Sequence, residues 1–427
     1  MRTHFWIAAA TAMLSLQASQ GAAAKPSIGT LYSFCMQSGC ADGSSPESAL
    51  VADAAGNLYG TTVGGGAASK GTIFELKKTQ TGYTFQELYQ FCPKSGCSDG
   101  SFPIGTLLLD TAGNLYGTAY RDGPSGSGTV FELVRHRVGW TLTMLYGFCP
   151  TGFGCVDGMN PYSGLTYLGQ QSGVPYDGVS PLFGTTYLGG GVEHAGTVFE
   201  LAFGKNRTAP TLTTIHTFCA QQHCLDGDEP RGGLVMDASG DLFGTTETGG
   251  VKNGGVVFEL SPQGAAFGYT LLHSFCTLSR CADGQAPAAT LAWDAAGNLL
   301  GTTVQGGANN MGVVFETSPR QQTTKSLYSF CPKAGCKDGA LPESGVAMGP
   351  QGILYGMASN GGKANHGLIY SIQGSVEKTV YAFCPKSGCA DGAVPMGGVI
   401  LDSEGNLFGV TASGGARSFG SVFKLTP

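Results

Sequence analysis

Two cysteines separated by four residues, with Asp-Gly close behind, recur along this 427-residue chain. The first copy reads "CMQSGCADG" from Cys35, and later copies read "CPKSGCSDG" from Cys92 and "CPKSGCADG" from Cys384. The pairs are Cys35 with Cys40, Cys92 with Cys97, Cys149 with Cys155, Cys219 with Cys224, Cys276 with Cys281, Cys331 with Cys336, and Cys384 with Cys389, and they use all 14 cysteines. Thiols so spaced could ligate a metal, run redox exchange or cross-link. Zinc wants about four ligands, and no second pair or nearby His-x-x-x-His completes a set. Redox pairs favour two intervening residues, not four. Seven local disulfides remain, each contributing about 2 kcal/mol in the chain-entropy account.

The aspartates Asp42, Asp99, Asp157, Asp226, Asp283, Asp338 and Asp391 each precede glycine. Gathered on one axis they could bind calcium or a cationic ligand, but seven unpaired carboxylates would repel one another. An Asp that caps the amides of its own turn explains a residue present in every copy. The recurring Glu75, Glu132, Glu200, Glu259 and Glu316 are read the same way, as a building rule.

Positions that vary between copies are better candidates for recognition. Glycine-rich loops reading "GGGAASKG", "RDGPSGSG", "GGGVEHAG", "TGGVKNGG", "QGGANNMG", "NGGKANHG" and "SGGARSFG" keep their glycines and change the residues between them. Constant glycines shape a loop, and its variable side chains can bind. The candidate binding residues are Lys70, Arg121, Asp122, Glu193, His194, Lys252, Asn253, Asn309, Lys363, His366 and Arg417. No catalytic motif is evident: G-x-S-x-G, H-E-x-x-H, a phosphate loop and EF-hand spacing are all missing. No metal site and no cofactor are expected. A carboxylate pair drawn from different repeats would be invisible to spacing, as would a His194 or His366 base.

These loops need elements to hold them. Each repeat carries four short apolar runs, in the first "ALVAD" (49–53), "NLYGTT" (57–62), "GTIFEL" (71–76) and "FQELYQF" (85–91). They are β-branched and aromatic and bounded by turn residues, so they read as antiparallel strands A to D. "DAAGN" is a tight A–B hairpin in which Gly56 and Asn57 can take positive φ. Repeated four-stranded units point to a propeller. The chain opens on a spare strand D, "IGTLYSF" (28–34), and closes after strand C, "SVFKL" (421–425). The first should therefore complete the last blade, which gives an all-β, seven-bladed β-propeller closed by its N-terminal strand. In this geometry the Cys loops and glycine-rich loops share one face. A Cys-linked turn between strands D and A would fix the angle between blades.

"GNLYGTT…GG…GTVFEL" resembles the GloVer tandem repeat of bacterial exported proteins, over nearly the whole mature chain. The resemblance implies export and a propeller-like repeat, and it implies no particular reaction. The N-terminus agrees: "MRTH", the apolar "FWIAAATAMLSL" and Ala22-x-Ala24 read as a signal peptide over 1–24, leaving one propeller over 25–427. The net charge of -6 argues against nucleic acid. The expectation is a secreted or periplasmic monomer with no membrane span in its mature chain. It would act as a ligand-binding or scaffold protein whose partner is a carbohydrate or another extracytoplasmic protein. The alternatives are a carbohydrate-active hydrolase or lyase with an axial site, and a cell-surface adhesion or structural module. Acids converging with one another or with a basic partner in a polar axial cleft would favour the enzyme. Two features break the repeat. The third A–B connection swells to "YLGQQSGVPYDGVSPLFG" (167–184), which is expected to project on the opposite face. Trp293 stands where other repeats have Ala52, Leu109 or Met236, and is expected to fill the channel.

Overall fold

The computed structural model describes residues 26–207 and 210–427. The expected signal peptide lies outside the described residues. The rest is a ring of seven antiparallel blades with almost no helix. In blade one, Val51–Ala52, Leu58–Thr62, Thr72–Lys78 and Tyr83–Gln90 run from the axis outward. In blade seven the order is Ala393–Leu401, Leu407–Ser413, Ser421–Thr426 and then Ser27–Ser33. The ring closes as the sequence implies: Ser27 pairs with Thr426 and Ser33 with Ser421, antiparallel.

The motif "LYGTT" has a packing reason. Gly60 on strand B pairs with Phe74 on strand C. A Cβ at Gly60 would sit 2.6 Å from the Phe74 ring and 2.9 Å from Leu50 of strand A. The glycine thus lets an aromatic ring lie flat across its own blade. Burial then happens between blades rather than in one central core. Tyr59, Ile73 and Phe91 of blade one pack with Leu107, Leu115 and Phe131 of blade two. The closing joint is built alike, with Phe34, Phe408 and Val422 against Leu50, Leu58 and Phe74.

A second rule links every blade to the next. The glycine that opens strand C meets the recurring proline of the following blade: Gly71 faces Pro103, Gly312 faces Pro342, and Gly420 faces Pro46 across the closure. A Cβ at Gly312 would lie 2.5 Å from Pro342 Cδ, and its φ of +94° already favours glycine. The residue before each proline has positive φ and donates its amide back to the previous blade, as in Phe102 N to Lys70 O (2.9 Å) and Ser45 N to Phe419 O (2.8 Å).

Local structure refines several expectations. Gly56 has φ +80°, whereas Asn57 has ordinary φ and instead donates its backbone and side-chain nitrogens to Asp53. Blade three's innermost strand shrinks to one bridge, Thr166–Phe183. Its swollen connection folds back on the fold: Tyr176 is fully buried and packs edge-on to Tyr116 of blade two, with centroids 5.1 Å apart. Trp293 does not fill the channel. It packs at 87° on Phe243, centroids 5.1 Å apart, in the joint between blades four and five. Alternation puts Ala292 and Trp293 on opposite faces of the blade, each in the joint with an adjoining blade, and the channel wall of this blade is made upstream by Ala288, Ala289, Thr290 and Leu291.

Candidate functional site

The cysteines form seven disulfides, one per repeat, and none is free among the described residues. The bonds join Cys35 to Cys40, Cys92 to Cys97, Cys149 to Cys155 and Cys219 to Cys224. They continue round the ring from Cys276 to Cys281, Cys331 to Cys336 and Cys384 to Cys389, each the pairing that adjacency in sequence implies. All fourteen have positive φ, so the cross-link holds a turn that side-chain-bearing residues otherwise avoid. Each loop is tied at both ends. Asp42 accepts from Tyr32 Oη (2.7 Å) on the preceding strand D and from the amides of Met36 and Gln37. Cys40 O accepts from Gly66 N (2.9 Å) in the glycine-rich loop of the following blade, and Cys97, Cys155, Cys224, Cys281 and Cys336 present their carbonyls in the same way. Asp99, Asp157, Asp338 and Asp391 repeat the tyrosine bond, with Tyr89, Tyr146, Tyr328 and Tyr381. In two repeats a histidine stands in for the tyrosine: His216 Nε2 lies 3.3 Å from Asp226 and His273 Nε2 3.7 Å from Asp283. Burial raises the Asp226 carboxyl, but His216 and the loop amides outweigh it and hold it below its ordinary range. The Asp-Gly carboxylates therefore cap their own loops and do not converge on the axis.

The glycine-rich loops ring the same face. Lys70 Nζ reaches Asp122 Oδ2 of the next blade at 3.0 Å, and Ser101 Oγ also donates to that carboxylate. Burial opposes ionisation of Asp122, but Ser101, Lys70 and the neighbouring Arg121 hold its carboxyl below the usual range. Asn253 Oδ1 accepts from Gly249 N (2.9 Å), and Asn309 donates to Cys331 O. Arg121, Glu193, His194, Lys252, Lys363 and Arg417 point into solvent. Half-buried His366 lies within 4.8 Å of both sulfurs of Cys384 and Cys389, which are bonded to each other and offer no thiolate. Apart from the Lys70–Asp122 pair with Arg121, the structure spreads these residues round the rim rather than gathering them.

What it does gather lies at the axis. The residues after the recurring prolines, among them Glu47, Tyr162, Arg231, Glu343 and Met396, line an axial cavity of about 380 Å³. Gln170, from the blade-three insertion, also lines this cavity. At the mouth on the Cys-loop face, Arg231 donates to Tyr162 Oη (3.2 Å), and its guanidinium sits 4.9 Å from the Tyr162 ring centre. Glu343 lies 3.8 Å from it and Glu247 3.9 Å, both beyond direct hydrogen-bond reach. Tyr120 packs edge-on to Tyr162, and Tyr187 flanks them. Burial raises the carboxyls of Glu47 and Glu247; Arg231 opposes this, and Glu343 adds to it for both. Burial also raises the Tyr187 hydroxyl, with Glu229 and Glu247 beside it.

Sequence reasoning missed this cluster, although a signal was present. With the repeats superposed on their prolines, the next residue runs Glu47, Ile104, Tyr162, Arg231, Ala288, Glu343, Met396. A channel-facing position that varies in charge beside an invariant neighbour marks a place where the ring breaks its own symmetry.

Fold and cavity together define a disulfide-stapled, seven-bladed β-propeller with one asymmetric polar mouth on its axis. The chain belongs to the Gloeobacter/Verrucomicrobia repeat family, matched over residues 17–180 and 170–423. No curated protein matches it. Among solved structures it is similar to a puromycin-hydrolyzing peptidase of Mycobacterium tuberculosis (10% identity, TM-score 0.51), covering 88% of this chain and 51% of that one. A candidate 6-phosphogluconolactonase of Bacteroides uniformis matches at 14% identity and TM-score 0.47, over 77% of this chain and 82% of its own. The sialidase of Trypanosoma rangeli, solved with the inhibitor DANA, matches at 10% identity and TM-score 0.41, over 94% and 59%. Such likeness concerns the fold alone.

Proposed function

We propose that this is an extracytoplasmic binding protein whose axial mouth takes a neutral, polyhydroxylated ligand of the carbohydrate class. Arg231 carries this reading. It is a half-buried guanidinium with a single hydrogen bond, to Tyr162, set among carboxylates that stand back from it. Guanidinium donors beside carboxylate acceptors match a row of hydroxyls, each of which can both give and accept. Glu47, Glu229, Glu247 and Glu343 outnumber the single arginine there, so the mouth disfavours anions. Seven disulfides suit an oxidising compartment, and among the described residues no helix is long and apolar enough to cross a membrane. The rim residues Lys70, Arg121, Asp122, Glu193, His194, Lys252, Asn253, Asn309, Lys363, His366 and Arg417 would meet the outer part of a longer ligand or a protein partner.

The test is calorimetry of the mature protein against neutral, anionic and cationic oligosaccharides. Neutral glycans should bind, and Arg231→Ala should weaken them roughly tenfold or more. Binding unchanged by Arg231→Ala, or confined to anionic glycans, would remove the mouth as the site. A second reading, a glycan hydrolase or lyase, is favoured by Glu47 and Glu343 lining the cavity together with Arg231: two carboxyls at one site can serve as general acid and base. Release of new reducing ends, lost in Glu47→Gln, would establish it.

A further inference from the structure

We propose a second ligand site on the opposite face, an aryl-binding groove between blades five and six. The groove is a cavity of about 620 Å³, walled by Leu300, Leu327, Met348, Leu354 and Ile372, with Glu316 and Lys325 at its edge. Its volume is that of a small-molecule site.

The other joints of the ring show what belongs there. The second residue of strand B pairs with the same strand C position in every blade: Tyr59 with Glu75, Tyr116 with Glu132, Phe183 with Glu200, Phe243 with Glu259, Tyr355 with Ser371, Phe408 with Lys424. In blade five this position is Leu300, opposite Glu316. At five of the other joints, all but the one after Tyr355, a second ring fills the space from the following blade or its neighbourhood. Phe408 meets Tyr83 at 6.3 Å, Phe183 meets Phe267 at 6.5 Å, Phe243 meets Trp293 at 5.1 Å, and Tyr116 meets Tyr176 at 5.1 Å. Tyr59 shares its cluster with Trp140.

Blade six cannot supply that ring, because its C–D hairpin is cut short. Ile372 pairs with Glu377, whereas in blade one Leu76 pairs with Phe85 and the hairpin runs on through Lys78 and Tyr83. Both members of the aromatic pair are therefore missing at one joint, and the groove is the shape they leave. A planar aromatic ring fits the space that an edge-on ring takes at those sister joints, with its face and edge against apolar side chains. Met348 and Leu327 supply adaptable walls. The Lys325–Glu316 pair, 2.8 Å apart, sits where a hydroxyl or ring N–H on that ligand can hydrogen-bond.

The experiment uses indole and 4-methylphenol as probes with the folded mature chain, followed by saturation-transfer NMR and titration. Both should bind, and cyclohexanol of like size should bind at least several-fold more weakly. Leu300→Tyr, which restores the residue of blades one and two, and Met348→Phe, which fills the groove from the other wall, should each weaken the probes roughly tenfold. Circular dichroism and melting show which variants are folded; if one is not, the other decides. Arg231→Ala should leave probe binding unchanged. No saturation of either probe, equal binding of cyclohexanol, or binding undiminished in a folded filled variant would overturn the proposal.

Discussion

At the residue scale, the repeat shows what each position requires by showing where it is violated. Phe74, Phe131, Phe199, Phe258, Phe315 and Phe423 lie over the strand B glycine in the other blades, and Tyr370 takes that place in blade six. The Tyr370 side chain is fully buried, and its hydroxyl has no hydrogen-bond partner. Burial, with Glu377 nearby, drives its ionisation upward and out of reach. A buried, unpaired hydroxyl costs about 1–3 kcal/mol. Tyr370→Phe should therefore stabilise the protein by about 1 kcal/mol or more in urea unfolding, an unusual sign for a core substitution. A loss of stability would mean that the hydroxyl is satisfied. The same scale explains what the sequence could and could not reveal. The disulfides were legible because both partners sit in one short segment. The bond from Tyr32 to Asp42 was not, because strand D and the loop were read separately, though the tyrosine or histidine precedes each Cys pair as regularly as the aspartate follows it.

At the element scale, the short hairpin of blade six has a second consequence. Strand D presents Phe85, Leu142, Leu212 or Tyr269 opposite the strand C leucine of blades one to four, and in blade six it presents Glu377 opposite Ile372. Burial pushes the Glu377 carboxyl up to about 7; Thr379 opposes and Asp338 adds. A carboxyl with a raised native value binds its proton longer in the folded chain than in the unfolded one. Stability thus falls as pH climbs from the ordinary value of 4.5 to about 7, and is flat on either side. Glu377→Leu removes the titration. It should melt higher than the parent by a margin that grows across that window and reaches roughly 1–2 kcal/mol above it, after discount for partial exposure. A margin independent of pH would place the carboxylate in solvent. Strand order and hairpin placement were legible here because each run is rich in β-branched and aromatic residues and bounded by turn residues. The orientation of strand A was not: only two of its residues pair in blade one, Val51 and Ala52, so alternation gave too few positions to tell joint from channel. Trp293 and the Arg231 cluster were both misjudged or missed for that reason.

At the scale of the whole molecule, the covalent chain spans every joint between blades, and the ring is closed inside blade seven, where Ser27–Ser33 pairs with Ser421–Thr426 without a hairpin turn. Nothing in the local chemistry marks the joint between this blade and blade one as weaker. Tyr32 stacks on Phe85 at 4.0 Å, Phe34 meets Phe74 edge-on at 5.1 Å, and Pro46 seats on Gly420. Ser27–Ser33 also covers the outer edge of Ser421–Thr426, which would otherwise offer a free strand to other chains. Deleting Ser27–Ser33 removes Leu31 and Tyr32 from the joint and exposes that edge together. From the partial burial of these two side chains alone the cost is roughly 2–3 kcal/mol, before the ladder is counted. The truncated protein should melt well below the parent and associate at concentrations where the parent is monomeric, with its disulfides intact. Light scattering during chromatography and thermal unfolding read both effects. A synthetic peptide spanning residues 26–34, added in excess, should reverse them by re-pairing the edge, as a bound ligand stabilises the state it binds. A truncated chain that melts with the parent would show that the three remaining strands of blade seven suffice, and that closure contributes shape without stability.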